Sequence, residues 1–310
     1  MSPDPLVSVV IPAYNAQKTV RYAIDSVLGQ TMSDLEVIVV DDASTDGTVQ
    51  AIEAVGDPRV RLLKSSRNLR QAAARNLAMK DARGRWVAFV DADDEWVPAR
   101  LEHLLAAIQG EPECFVADLS VVCVPQADGH LAPLEPQKPP AEPRTVRFDF
   151  PDYVELGMDV KPMVPRVALT RHGIEFPEWG SCGDWAFLIA RLSANGIQGK
   201  LLHRVGYLYR VTGAHDSSTL RGIEEILRVT EHLAADRDVA EGAKERLKRQ
   251  APGIRKRLVI AAAREGNWRK FSHYARQNPG ALLELPRSVL RYLWRRIRYS
   301  MAHRSTGFVQ

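Results

Sequence analysis

Along the first 110 residues, short solid apolar runs alternate with stretches whose apolar positions keep a helical period. Residues 6–12 (LVSVVIP), 36–40 (EVIVV), 60–64 and 86–90 (WVAFV) are compact and rich in β-branched side chains. Such runs mark strands covered on both faces. Between them, residues 19–28 set Val20, Ala23, Ile24, Val27 and Leu28 at helical spacing, and residues 48–55 and 71–80 repeat the pattern. Four strand and helix pairs in this order predict an open, largely parallel α/β sheet with right-handed crossovers. Ligands of such sheets sit at the carboxyl ends of the strands, near the point where strand order reverses. Polar groups gather at three of the four ends, at residues 12–15, 41–48 and 91–94, and an arginine-bearing segment, 67–75, follows the other.

The pattern then loosens. Residues 114–124 read as a further strand, whereas residues 125–143 hold six prolines and few large apolar groups, which predicts a long surface loop or flap without regular structure. Residues 184–192 (DWAFLIARL) return to helical period, and residues 201–211 (LLHRVGYLYRV) read as paired strands or one bent strand. From residue 222 the chain reads as helical, with breaks near Pro252, Asn267 and Pro279. A boundary near residue 220 therefore divides an α/β domain, 1–220, from a helical extension, 221–310.

Composition narrows the class without naming it. With 310 residues, 45% apolar and 26% charged, the chain can bury a full core. The N-terminal residues lack the pattern of a cleaved leader, and apolar runs stay short of the ~20 residues that span a bilayer, so a cytoplasmic location is expected. Cys114, Cys123 and Cys182 are odd in number and contain no C-x-x-C pair, which argues against a disulfide framework and a zinc set. The net charge of +4 is unevenly placed: residues 286–310 carry six arginines and no acid.

Chemistry concentrates in WVAFVDADDEW, where an apolar strand runs into Asp91, Asp93 and Asp94. Three carboxylates crowded at a buried strand end repel one another and lose hydration unless a cation or donors stand nearby. An all-oxygen set without His or Cys suits Mg2+ or Mn2+ shared with phosphate oxygens, and hence a nucleotide. An acidic helix start near Pro98 would account for Asp94, but not for Asp91. Asp41 and Asp42 leave the second strand in the same manner, ahead of the turn and capping groups Ser44 to Thr48. A carboxylate fixed there can accept the imide N–H of a uracil or thymine ring.

VSVVIPAYNAQKTV, VVDDASTDGT, AAARNLAMKDARGRWVAFVDADDEW and GDWAFLIARL together resemble the inverting family 2 glycosyltransferases of the GT-A fold, in order and in approximate spacing, over residues 6 to 215. The resemblance implies a Rossmann-like, mostly parallel central sheet and a metal-dependent transfer of sugar from a nucleotide-sugar, a UDP-sugar first among candidates. Pro12, Tyr14 and Asp42 match positions that line the nucleotide base, and Asp91 and Asp93 match the D-x-D contacts to ribose and metal. Asp94 is then a neighbour. Arg70, where a glycine is often found, and Arg75 of the A-R-N segment both fall near the donor, and the resemblance does not choose between them. Asp184 matches the general base of the E-D motif, with Gly183 in place of the usual Glu. An Asp near its ordinary pKa of about 3.9 is ionised at neutral pH, so this base would need position more than tuning. Tyr209 and Arg210 resemble the late Y-R-x-H region, with His215 displaced further along.

The tail carries its own expectation. Val289, Leu290, Leu293, Trp294, Ile297 and Met301 share one helical stripe, with Arg291, Arg295 and Arg298 opposite. This pattern fits either an interfacial helix on anionic lipid or a helix packed on the enzyme. A peripheral contact through residues 286–310 at the inner membrane face would suit a glycan or lipid-linked acceptor in cell-surface polysaccharide synthesis. Nucleic acid is disfavoured, because these arginines flank an apolar stripe rather than a stacking surface. Two rivals remain: a sugar-nucleotide pyrophosphorylase, which wants a glycine-rich, arginine-bearing loop where this chain has PAYNAQKT, and a non-catalytic nucleotide or carbohydrate-binding module.

Overall fold

The computed structural model describes residues 4–134, 144–156, 160–177, 183–211 and 219–280. His215, Cys182 and the arginine-rich residues 286–310 lie outside these. The first half alternates as its apolar pattern predicts: β1 (Val7–Ala13), α1 (Val20–Leu28), β2 (Leu35–Asp41), α2 (Thr48–Glu53), β3 (Val60–Lys64), α3 (Gln71–Asp81) and β4 (Trp86–Phe89). There follow β5 (Glu95–Trp96), α4 (Arg100–Ala107), β6 (Phe115–Pro125), β7 (Leu131–Pro133), β8 (Thr145–Phe148), α5 (Phe150–Leu156), β9 (Val164–Pro165) and α6 (Arg166–His172). The chain continues through α7 (Asp184–Ala194), β10 (Gly199–Arg210), α8 (Leu220–Ala235), α9 (Glu241–Arg264) and α10 (Trp268–Gln277).

One sheet has the order β3-β2-β1-β4-β9, parallel except for β9. Every residue of β1, β2 and β4 is buried, as solid apolar runs require. The order reverses between β1 and β4, so their carboxyl ends diverge and open a crevice. A second sheet runs β5-β10-β6-β7, with β8 also paired to β10. Its long strand β10 pairs parallel with β6 and shifts register near Val205, so residues 199–210 form one bent strand and not a hairpin. Residues 90–94 join the sheets, leaving β4 in the first and delivering β5 to the second.

Two expectations need correction. The proline-rich segment is not wholly irregular: β7 pairs antiparallel with β6 through Cys123 and Pro133, because the stretch before most of its prolines can still form a short edge strand. Nor does Pro252 break the last third of the chain. Helix α9 runs through it, anchored on either side by buried Ala251 and Ile254, and the break falls earlier, between α8 and α9. Val229, Leu233, Val239, Ala243 and Leu247 from these helices join the same apolar core as Phe89, Phe176 and Trp185.

Candidate active site

The crevice above β1 and β4 holds a cavity of about 820 Å³, of the size that takes a nucleotide-sized ligand. Pro12, Tyr14, Asp42, Arg70, Asp91 and Asp93 all line it. Tyr14 presents an exposed ring, 51% accessible, at one end. The described residues contain three non-glycine positions with positive φ, namely Asn15, Ala43 and Arg70, and all three stand in the strand-end loops around this cavity. Strained backbone of this kind persists where surrounding structure holds it, commonly at binding sites.

Asp42 is buried and tied into that framework. Its two carboxylate oxygens accept from the backbone N–H groups of Leu69 (2.6 Å) and Arg70 (2.8 Å), tying β2 to the loop before α3. Arg70, at φ 73° and ψ 162°, occupies a region that glycine visits freely and other residues enter at a cost of about 1–3 kcal/mol. Its side chain is half exposed on the cavity wall.

The D-x-D acids differ in company. Asp91 Oδ1 accepts from Gln71 Nε2 (2.8 Å) and Arg75 Nη2 (2.6 Å), while Oδ2 faces Lys161 Nζ at 3.8 Å. Burial works against its charge, but Arg75 and Lys161 outweigh that and hold the carboxyl below its ordinary pKa. Asp93 takes no side-chain partner among the described residues, and burial together with the Asp91 charge pushes its pKa up. Asp94 is structural. Its Oδ2 accepts from the Tyr207 hydroxyl (2.7 Å) and its Oδ1 from the Arg210 N–H (2.8 Å), so β10 grips the joint between the sheets. The Tyr207 hydroxyl also accepts from the Asp91 N–H at 3.1 Å.

Arg75 stands differently from its neighbour Arg70. It lies beneath the cavity, 1% exposed, and its guanidinium bridges Asp91 to Asp184 at the start of α7. Trp185 and Phe176 lie 4.5 and 5.4 Å from that guanidinium, which adds cation–π contact. Both acids keep the guanidinium charged despite its burial. Asp184 is 2% exposed, and burial pushes its pKa up, partly offset by Arg75 and reinforced by the Asp91 charge. Position alone therefore does not describe this carboxylate: its basicity is raised as well.

The residue before Asp184, where the resemblance expects a Glu, is Gly183. Gly183 sits at φ 83°, and a Cβ there would stand 3.3 Å from Val229. The charge partner of Asp184 is Arg75, 109 residues away in sequence.

Three side chains of the site escaped sequence reasoning: Gln71, Lys161 and Arg221. Lys161 is 3% exposed, with Nζ 3.8 Å from both Asp91 and Asp94 and 4.2 Å from the Tyr207 ring centroid. A lone lysine in the apolar run DVKPMVP was the available signal. Arg221, from α8, lines the cavity and had no signal.

Among the described residues no three acid, His or Cys groups converge as a ready metal cage. Asp93, unpartnered and facing the cavity, still fits a hard cation. Such ions are commonly held by one or two carboxylates, with phosphate oxygens and water completing the shell. Asp91 could be a second ligand only by sharing itself with Arg75 and Gln71.

The Glycosyl transferase family 2 model matches residues 8–155. The succinoglycan biosynthesis protein ExoO of Rhizobium meliloti is 32% identical over 227 residues, covering 70% of this chain and 64% of that protein. WfaP of Escherichia coli, named as a UDP-Glc:alpha-D-GlcNAc-diphosphoundecaprenol beta-1,3-glucosyltransferase, is 38% identical over 110 residues, 36% of this chain and 44% of its own. The chain thus spans less than two thirds of the length of these relatives. S. aureus TarS 1-349 in complex with UDP-GlcNAc superposes with a TM-score of 0.61 at 19% identity, covering 91% of this chain and 82% of that one. The mannosyltransferase PcManGT from Pyrobaculum calidifontis, in complex with GDP-Man and Mn2+, gives 0.59 at 22% identity, covering 94% and 84%. At these identities the structural likeness speaks for the GT-A fold.

Proposed function

Since residues 8–155 match the glycosyl transferase family 2 model, we propose that this chain belongs to that family and moves a sugar from a nucleotide-sugar to a hydroxyl group with inversion at the anomeric carbon. The acceptor in this reading is a glycan or a lipid-linked oligosaccharide of cell-surface polysaccharide synthesis, in keeping with the names of ExoO and WfaP. The reading rests chiefly on one arrangement: a nucleotide-sized cavity that ends at Asp91 and Asp93, with a raised-pKa carboxylate, Asp184, linked behind it through one guanidinium.

The nucleobase would lie at Tyr14 and Asp42, whose carboxylate oxygens can accept a further hydrogen bond beside those from the loop. Asp93, with Asp91 as the candidate second ligand, would hold Mg2+ or Mn2+, and the ion when bound neutralises charge on the departing diphosphate. Asp184 would take the acceptor proton. Its raised pKa makes it a stronger base than a solvated Asp. Arg75 links Asp91 to Asp184, so an acceptor hydroxyl reaches the base only when the guanidinium yields its contact with Asp184. Single displacement on the face away from the diphosphate inverts the centre.

Among the described residues no helix is long and apolar enough to cross a membrane. Residues 286–310 are proposed as a peripheral contact with the membrane that carries a lipid-linked acceptor, at its cytoplasmic face. The test is a panel of UDP-, dTDP- and GDP-sugars with Mg2+ or Mn2+, read as nucleoside diphosphate release with and without acceptor. Turnover with one donor, stopped by EDTA, and a product of inverted anomeric configuration by NMR are expected. Retained configuration would overturn the single-displacement mechanism.

A further inference from the structure

The helical extension reaches the cavity at one point. Arg221, in the first turn of α8, lines the cavity beside Arg70, and α8 lies beyond the segment matched by the family model. Both guanidiniums approach the same carboxylate oxygen: Arg221 Nε stands 3.3 Å and Arg70 Nη1 3.9 Å from Glu225 Oε1. Glu225 is 6% exposed in its side chain, while Arg70 and Arg221 are 51% and 61% exposed. A buried acid thus gathers two solvent-facing cations at the rim of the cavity.

Two features indicate what they face. Arg70 stands between the two ends of the crevice: its N–H is held by Asp42 at the base end, and its neighbour Gln71 bonds Asp91 at the acidic end. A nucleoside diphosphate lying from Tyr14 to Asp93 passes its ribose and phosphates across this midpoint. Arg70 also keeps a long basic side chain in a backbone conformation where glycine would be unstrained, which marks the side chain as wanted.

We propose that Arg70 and Arg221, held together by Glu225, form a clamp for the phosphate oxygens of the donor and of the nucleoside diphosphate product. The clamp rests on the nucleotide-sugar reading above. Arginine suits it, because planar guanidiniums donate paired hydrogen bonds to phosphate. It also makes the helical extension part of the donor site, so folding of α8 and assembly of that site are linked.

Calorimetric titration of the full chain in Mg2+ with UDP, GDP, UMP and uridine tests this. Arg221→Gln should weaken the bound diphosphate roughly tenfold and leave uridine unchanged, as loss of one charge-assisted contact implies. Arg221→Lys should recover part of that loss. Arg70→Gly carries a two-sided signature: Tm rises by about 2 °C as strain is released, while diphosphate affinity falls. Unchanged diphosphate affinity in both Arg221→Gln and Arg70→Gly overturns the clamp while sparing the nucleotide-sugar reading. So does an equal loss for uridine and UDP, which would place the arginines on the nucleoside. Wild-type protein that binds neither UDP nor GDP overturns both.

Discussion

Arg75→Gln is the most informative single change, because one buried guanidinium holds two carboxylates from different parts of the chain. It removes a 2.6 Å contact to Asp91, the contact to Asp184 and the cation over the Trp185 ring. Removing one partner of a buried ion pair typically costs about 3–5 kcal/mol, because the other partner is left uncompensated. In a chain of this length about 2 °C of Tm accompanies each kcal/mol, so a fall of roughly 6–10 °C is expected in calorimetry at pH 7.5. The pH dependence has a definite sign. Asp91, with its pKa lowered in the fold, contributes stability above the ordinary carboxylate range that is lost as pH falls through its lowered value. Asp184, with its pKa raised, contributes stability at low pH that is lost as pH rises through its raised value. Without Arg75 both carboxylates move upward, so the deficit should be greatest near neutrality and shrink on acidification toward pH 5. The double variant Arg75→Gln/Asp184→Asn should regain part of the loss. A Tm within 1 °C of wild type, or strictly additive single and double variants, would refute the coupling.

Asp184→Asn should abolish transfer by at least 10²-fold while donor affinity in calorimetry stays near wild type. Asp93→Asn should instead weaken donor binding and make it insensitive to Mg2+; near-normal turnover in either variant removes its assigned role. Gly183→Glu, which places an acid before Asp184, should destabilise the fold by about 1–3 kcal/mol, because a side chain must enter at φ 83° against Val229. A more stable Gly183→Glu protein in chemical denaturation would show that this backbone relaxes.

The sheet was legible because each strand carries its own solid apolar run, and a strand end is a local property. WVAFVDADDEW announced its acids for that reason, and so did VVDDASTDGT. Contacts between distant elements left no such trace. Nothing in A-A-A-R-N shows that Arg75 turns inward to Asp184 rather than outward to a nucleotide; α3 packing on the sheet decides it. The raised pKa of Asp184 was equally hidden, since burial at the start of α7 comes from Trp185, Phe176 and α8 packed around it. Gly183 reads in sequence as a lost acid, whereas in the fold it is a position whose positive φ strains any residue with a Cβ. Arg221 sits in an ordinary amphipathic helix, where sequence alone makes it one exposed arginine among many.

The joint from Asp91 to Asp94 also bears on how such a protein can be re-engineered. Tyr207 and Arg210 clasp Asp94, and Tyr207 reaches back to the Asp91 backbone, so both ends of this short span are pinned. One inserted residue would displace an end by roughly 3 Å, the full length of a hydrogen bond. Libraries seeking new donors should therefore vary side chains here and keep the residue count fixed.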